Sequence, residues 1–194
     1  MVKTIGQKLK SILIEWGVIL GLFSILYLTG LHTEVIGRLQ QALLWTNLIQ
    51  PEIEEIQETA QANYNFTLIN GKQERVPFKQ FQGKTIFFNF WATWCPPCRA
   101  EMPNIHELYQ KVDKDKVIFV MLSVDHDQEK ALAFLQDRNY KFPIYFLQSG
   151  LPPVFQSSII PTTYVISPQG AIVLKETGMS NYNNVKFQDF LEGL

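Results

Sequence analysis

Thr85-Ile86-Phe87-Phe88-Asn89-Phe90-Trp91-Ala92-Thr93-Trp94-Cys95-Pro96-Pro97-Cys98-Arg99-Ala100-Glu101-Met102-Pro103 is the stretch that decides the fold. Its first seven residues are β-branched or aromatic apart from Asn89. A strand apolar on both faces belongs in the middle of a covered sheet. From Cys95 to about Val112 the pattern turns polar and helical. Strand therefore runs into helix with a cysteine pair at the junction. A helix N-terminus offers free N–H groups and a partial positive charge, which stabilise a thiolate. Such sites bring a cysteine pKa down to about 3.5–7.5. Pro96 and Pro97 suit a first helical turn, where a missing N–H is no loss. Neither can donate to the Cys95 sulfur, so the first nearby donor is the Cys98 N–H, which tempers the effect. Cys95, at the helix tip, is the expected attacking nucleophile. Cys98, one turn further in, is the expected resolving thiol. Glu101 shares the helix face of Cys98 one turn on. It is either an exposed carboxylate or a partly buried acid that exchanges a proton with Cys98.

Working outward, Phe66 to Ile69 reads as a short strand closed by Asn70-Gly71. Val117 to Val124 is a second buried strand, and Asp127 to Asn139 an amphipathic helix. Phe142 to Leu147 is strand-like. Thr162 to Ser167 and Ala171 to Glu176 flank Pro168-Gln169-Gly170 as a hairpin. Asn183 to Leu191 closes as a helix. This order predicts an α/β fold with parallel central strands and an antiparallel edge, flanked by helices.

Upstream, residues 12–31 are predominantly apolar and long enough for a transmembrane anchor. Glu15 lies in the first turn, within reach of headgroups. Trp16 and Tyr27 sit near the two ends, as interfacial aromatics do. A cleaved signal peptide is the rival, but its apolar region is shorter and ends in a small-residue site that is missing here. Lys3, Lys8 and Lys10 before the span predict a cytoplasmic N-terminus, residues 1–11, with the rest of the chain outside. Residues 32–62 read as a helical linker, with Val35, Ile36, Leu39, Leu43 and Leu44 at helical spacing and Ile53 and Ile56 beyond Pro51. It is expected to lie as a spacer on the membrane or on the domain, or to bind a partner. Residues 63–194 form the predicted globular domain.

Composition narrows the chemistry. A formal net charge of -1 gives no basic excess for nucleic acid. The chain has 2 Cys, too close together to staple a scaffold. Zinc would need four ligands, and only His32, His106 and His126 accompany the pair. A copper-delivery protein using the Cys pair with His126 stays open, as does a binding module whose CxxC is an inert disulfide. The Pro-x-x-x-[Thr/Ser]-x-x-Cys setting of peroxiredoxins is absent. No metal or other cofactor is expected beyond the redox-active cysteine pair.

Phe90 to Pro103 closely resembles the active-site segment of the thioredoxin superfamily, and more narrowly its TlpA/ResA/CcmG-like branch of membrane-anchored thiol–disulfide oxidoreductases. The similarity runs from about Phe66 to Phe190. Gly83-Lys84 and Ser123-Val124-Asp125 also fit that branch. Asn89 stands where cytoplasmic thioredoxin has a buried Asp, and the asparagine is usual in the TlpA-like branch. The resemblance implies a thioredoxin fold with the extra helix and strand of that branch over Asp127 to Gly150. It makes Cys95 and Cys98 the catalytic pair and Glu101 a proton-handling residue. It makes Pro161 a cis-proline facing the cysteines, with Ile160 pairing with substrate, and has Pro103 kink the active-site helix. Trp94, Pro96, Pro97, Ile160 and Pro161 would form the substrate-binding surface. The function implied is a periplasmic or cell-exterior reductase of disulfides in exported proteins, including cytochrome c biogenesis and copper-site maturation, fed by a membrane dithiol donor. An oxidising disulfide donor has the same fold and remains the alternative.

Overall fold

The computed structural model describes residues 5–29, 31–46, 48–51 and 60–194. The chain divides into two compact units, Met1–Ile36 and Gly37–Leu194. The first is dominated by helix α1 (Ile5–Leu28). Within it, Lys10–Leu28 is long and apolar enough to cross a membrane, and none of it is buried by protein. A second helix, α2 (Leu31–Leu44), follows at once. The Ile53 and Ile56 helix expected after Pro51 lies outside the described residues.

Gly37–Leu194 is built on an eight-stranded sheet. The strands are β1 (Ala60–Gln61), β2 (Thr67–Asn70), β3 (Arg75–Pro77), β4 (Thr85–Trp91), β5 (Val117–Ser123), β6 (Ile144–Leu147), β7 (Thr162–Ile166) and β8 (Ala171–Thr177). Their order across the sheet is β1-β8-β7-β4-β5-β6-β2-β3. Strands β4, β5 and β6 run parallel, and the remaining pairings are antiparallel. Helices α3 (Pro96–Lys111), α4 (Gln128–Asp137) and α5 (Val185–Gly193) complete the unit. This is the thioredoxin-like α/β arrangement expected from the strand and helix order.

Every residue of β4 is buried, as its two-sided apolar sequence requires. Alternation splits its side chains between two cores. Phe87 and Trp91 pack with the cysteines, α3 and α5. Ile86, Phe88 and Phe90 pack on the other face with Phe66, Phe78 and Phe155. Asn89 shares the parity of Phe87 and Trp91, so the one polar residue of the strand points at α3.

Helix starts follow local chemistry. Asp127 caps α4 by accepting from Glu129 N and Lys130 N at 3.1 and 3.4 Å. Asn184 caps α5 through Phe187 N at 2.8 Å. The β7–β8 hairpin turns at Gly170, whose φ of +90° favours glycine.

Two strands were not expected. The β2–β3 hairpin extends the expected first strand, and β1 pairs with β8 inside the span assigned to the linker. Strands of two or three residues carry too little alternation to be read.

Candidate active site at the start of helix α3

The site is assembled where β4 ends. Cys95 is the N-cap of α3, and Pro96 and Pro97 fill the first turn. Cys95 and Cys98 are joined as a disulfide. The Cys98 N–H donates to Cys95 Sγ at 3.2 Å, the one backbone donor that the two prolines leave near that sulfur. Cys95 is 4% exposed and Cys98 fully buried, so the first is the one substrate can reach. Cys95 Sγ lies 3.7 Å from the Ile160 carbonyl O. The Ile160–Pro161 peptide is cis. Residues 65 positions apart in the chain thus meet at one sulfur, because antiparallel β7 begins beside the end of β4.

Trp94 is 57% exposed at the rim. Beside it opens a cleft of about 500 Å³, whose lining combines apolar side chains such as Trp94, Leu122, Phe146 and Ile160 with polar ones such as Asp125 and Gln128. Pro96, Pro97 and Ile160 are half-buried around the disulfide, and Pro161 is buried. All the residues expected to bind substrate therefore surround the pair. Helix α3 runs through Pro103, which cannot supply a backbone N–H to the turn before it.

Glu101 is fully buried one turn beyond Cys98. Asn89 Nδ2 donates to Glu101 Oε1 at 2.9 Å, and Ser180 N donates to Oε2 at 3.3 Å. Burial pushes the carboxyl from 4.5 up to about 8 against the lowering effect of these two bonds; the Glu176 charge raises it further. The partner Asn89 is itself held by Thr163, its register neighbour across β4–β7. Asn89 Nδ2 donates to Thr163 Oγ1 at 2.9 Å, and Tyr182 Oη donates to the same oxygen at 2.8 Å. Burial also pushes the Tyr182 phenol well above its ordinary pKa.

Sequence reasoning found Glu101 and Asn89 but missed Thr163, Ser180 and Tyr182. The last two come from the segment after β8, which closes over the carboxylate. Gly178 N donates to Pro161 O at 2.9 Å, tying that segment to the substrate-facing loop. Its only signal in the sequence is a polar run, Ser180-Asn181, between hydrophobic elements.

Asp125 is a second residue whose role needed the fold. It accepts from Thr93 N at 2.9 Å, Thr93 Oγ1 at 2.6 Å and Ser123 Oγ at 2.8 Å. It therefore clamps the loop that leads from β4 to Cys95. Hydrogen bonds to a charged group are worth about 1.5–3 kcal/mol each. Asp125→Ala is expected to lower stability by about 2–3 kcal/mol in denaturant unfolding; a loss below about 0.5 kcal/mol would show that the clamp carries nothing.

His126 is exposed after β5. Among the described residues, no three His, Cys, Asp or Glu side chains converge on one point.

Comparison with known proteins agrees with this geometry. A family model described as the AhpC/TSA family matches residues 59–175. The thiol-disulfide oxidoreductase ResA of Bacillus thuringiensis subsp. konkukian is 30% identical over 126 residues, spanning 64% of this chain and 73% of the relative. The thioredoxin-like protein YneN of Bacillus subtilis is 35% identical over 120 residues, spanning 60% and 69%. StoA from Bacillus subtilis superposes with a TM-score of 0.52 at 24% identity, over 60% of this chain and 89% of that one. A thiol:disulfide interchange protein of the thioredoxin family from Chlorobium tepidum gives 0.57 at 20% identity, over 70% and 99%. These two structures share the fold. With a redox-pair geometry at the head of α3 and sequence similarity over most of the sheet, the chain belongs to the AhpC/TSA family, among its thioredoxin-fold, ResA-like thiol–disulfide oxidoreductases.

Proposed function

We propose that this chain is a membrane-anchored, extracytoplasmic thiol–disulfide oxidoreductase that works as a reductase of disulfides in exported proteins. The observation that carries the chemistry is the Cys95–Cys98 disulfide capping α3, with Cys95 Sγ 3.7 Å from Ile160 O. The anchor rests on the apolar helix Lys10–Leu28. The lysines that precede this helix support the orientation.

In the reduced protein the Cys95 thiolate attacks one sulfur of a substrate disulfide. A mixed disulfide forms and the other substrate sulfur leaves as a thiolate. Cys98 then loses its proton and attacks Cys95 Sγ. The second substrate sulfur departs, and the protein is left with the Cys95–Cys98 disulfide. Substrate gains two electrons, and a membrane dithiol donor returns two to the protein. Glu101, with a pKa raised to about 8, holds its proton in most molecules at pH 7, and its ionised fraction is the base that takes the Cys98 proton.

The cleft beside Trp94 and Ile160, apolar over most of its surface with polar residues among its lining, suits an extended polypeptide with a hydrophobic side chain next to its cysteine. Apocytochrome c and copper-site maturation factors are the substrates this reading favours, in the periplasm or at the cell exterior.

The reduction potential of the full chain in detergent, equilibrated with dithiothreitol and glutathione buffers, tests the direction. A value near or below about -250 mV supports a reductase. A value near about -120 mV would make the protein an oxidant instead. The full chain is the right material, since a fragment begun at Asn63 would lack β1 and leave the edge of β8 unpaired.

A further inference from the structure

The side of α2 that turns toward the domain carries a glycine, two glutamines and a single leucine. Gly37 and Leu44 are buried there, with Gln40 and Gln41 half-buried on the same side. The Gly37 backbone lies against the first turn of α3. A Cβ added at Gly37 would sit 3.6 Å from the Pro96 carbonyl O and 4.0 Å from Arg99 Cβ. Asn181 secures the helix end: its Nδ2 donates to Leu44 O at 3.3 Å, and its backbone N donates to Ile49 O at 2.9 Å. Gly37, Leu44 and Ile49 are thus held on the domain that carries the redox pair.

The opposite side is apolar and uncovered. Leu39 and Leu43 lie across the helix axis from Gly37, and Trp45 and Leu48 follow. They are 68%, 44%, 70% and 80% exposed. Val35 and Ile36 continue the same register and are exposed too. A helix that folds onto a domain by burial turns its leucines inward and its glutamines out. Here Leu44 follows that rule, but Leu39 and Leu43 break it, with Gln40 and Gln41 half-buried on the inward side in their place. Scattered exposed leucines need no explanation, but a continuous stripe does.

Covalent connection identifies the cover. Helix α1 ends at Leu28 and α2 opens at Leu31, so the stripe starts within a turn or two of the end of the apolar helix. We propose that Leu39, Leu43, Trp45 and Leu48 are embedded in the extracytoplasmic surface of the lipid bilayer, making α2 a two-faced spacer with lipid on one side and the active-site helix on the other. This rests on the reading of α1 as a membrane span. An interfacial helix sinks its apolar face about 5–10 Å into the boundary between headgroups and acyl chains, the level an indole ring prefers. A helix with its side chains is about 10 Å across. The first turn of α3, and Cys95 at its cap, is then held about one helix diameter from the headgroups. The domain does not range on a loose tether. Its redox pair is kept at the depth where a membrane-embedded dithiol would present itself.

The test is nitroxide accessibility in the full chain, reconstituted in vesicles of phosphatidylethanolamine and phosphatidylglycerol. Single cysteines replace Phe23, Leu39, Leu43 or Lys72 in a Cys95→Ser, Cys98→Ser background. Labels at Leu39 and Leu43 should match the one at Phe23, relaxed by oxygen and shielded from a water-soluble nickel complex, while the label at Lys72 stays in water. Nickel access at Leu39 and Leu43 with oxygen preference kept at Phe23 overturns the proposal and leaves the anchor standing. Nickel access at Phe23 as well overturns both. Shielding from both reagents, with dipolar broadening between labels, would show that a second copy of the chain covers the stripe, and overturns it too. A second measurement keeps the native cysteines. Lipids brominated high in the acyl chain should quench the fluorescence that distinguishes the native chain from Trp45→Phe. No such quenching would also overturn the proposal.

Discussion

Replacing Cys95 with serine is expected to abolish turnover, while replacing Cys98 with serine is expected to convert the protein into a trap. Both variants lose multiple-turnover reduction, but for different reasons. A serine hydroxyl at 95 is not a nucleophile toward disulfides, so no adduct forms. With Cys98→Ser, Cys95 remains at the α3 N-cap and still attacks. The mixed disulfide then lacks its resolving thiol and persists. The assignment of roles rests on position: Cys95 has the slight exposure and Cys98 has none. A single turnover with a disulfide-bonded peptide, followed by intact-mass measurement, separates the cases. One peptide equivalent should remain on Cys98→Ser and none on Cys95→Ser. The reverse pattern would exchange the roles.

Glu101→Gln is the second large effect, and it has a sign that follows from burial. The carboxyl has a pKa of about 8 in the folded protein against 4.5 ordinarily. The folded state therefore prefers the proton. That preference is fully present below pH 4.5 and is lost as pH rises through about 8. At about 1.4 kcal/mol per pH unit, the native chain loses on the order of several kcal/mol across that window, relative to a variant with a neutral amide at this position. Glu101→Gln should therefore be close to native in stability at pH 4.5 and clearly more stable at pH 9. Denaturant midpoints at the two pH values read the difference, and parallel pH profiles would refute the buried acid. The same substitution should slow resolution of the mixed disulfide by about 10²-fold near neutral pH, since Cys98 loses its proton acceptor. Initial attack by Cys95 should be unaffected. Slowing of attack instead would place Glu101 in support of the other thiol.

How much of this could be read beforehand depended on range. The strand Thr85–Trp91, the cap at Cys95 and the helix beyond it are neighbours in sequence. Their pattern of two-sided apolar residues, then prolines and polar residues, was legible without a fold. Even the Cys98 N–H donor to Cys95 Sγ followed from the two prolines alone. The short strands β1 and β3 were not legible, because two or three residues cannot show a period and exist only through their partners. The apolar spacing of the linker predicts an amphipathic helix lying on the membrane or on the domain, without saying which leucines face inward. The structure buries Gly37 and Leu44 and leaves Leu39 and Leu43 outside.

The reaction centre, the central strand, the apolar first helix and the family resemblance are each written in a contiguous run of residues whose chemistry is local, and so are legible without a fold. The surroundings of that centre depend instead on long-range packing. Packing places Thr163 between Asn89 and Tyr182, Ser180 N on Glu101, and Asp125 behind Thr93. Those partners are distant in the chain, and they meet because the sheet sets β7 beside β4 and returns the segment after β8 across α3. The raised pKa of Glu101 belongs to this second class. A carboxylate's charge is legible in a sequence, but the desolvation that raises its pKa depends on which residues of the folded chain exclude water from it.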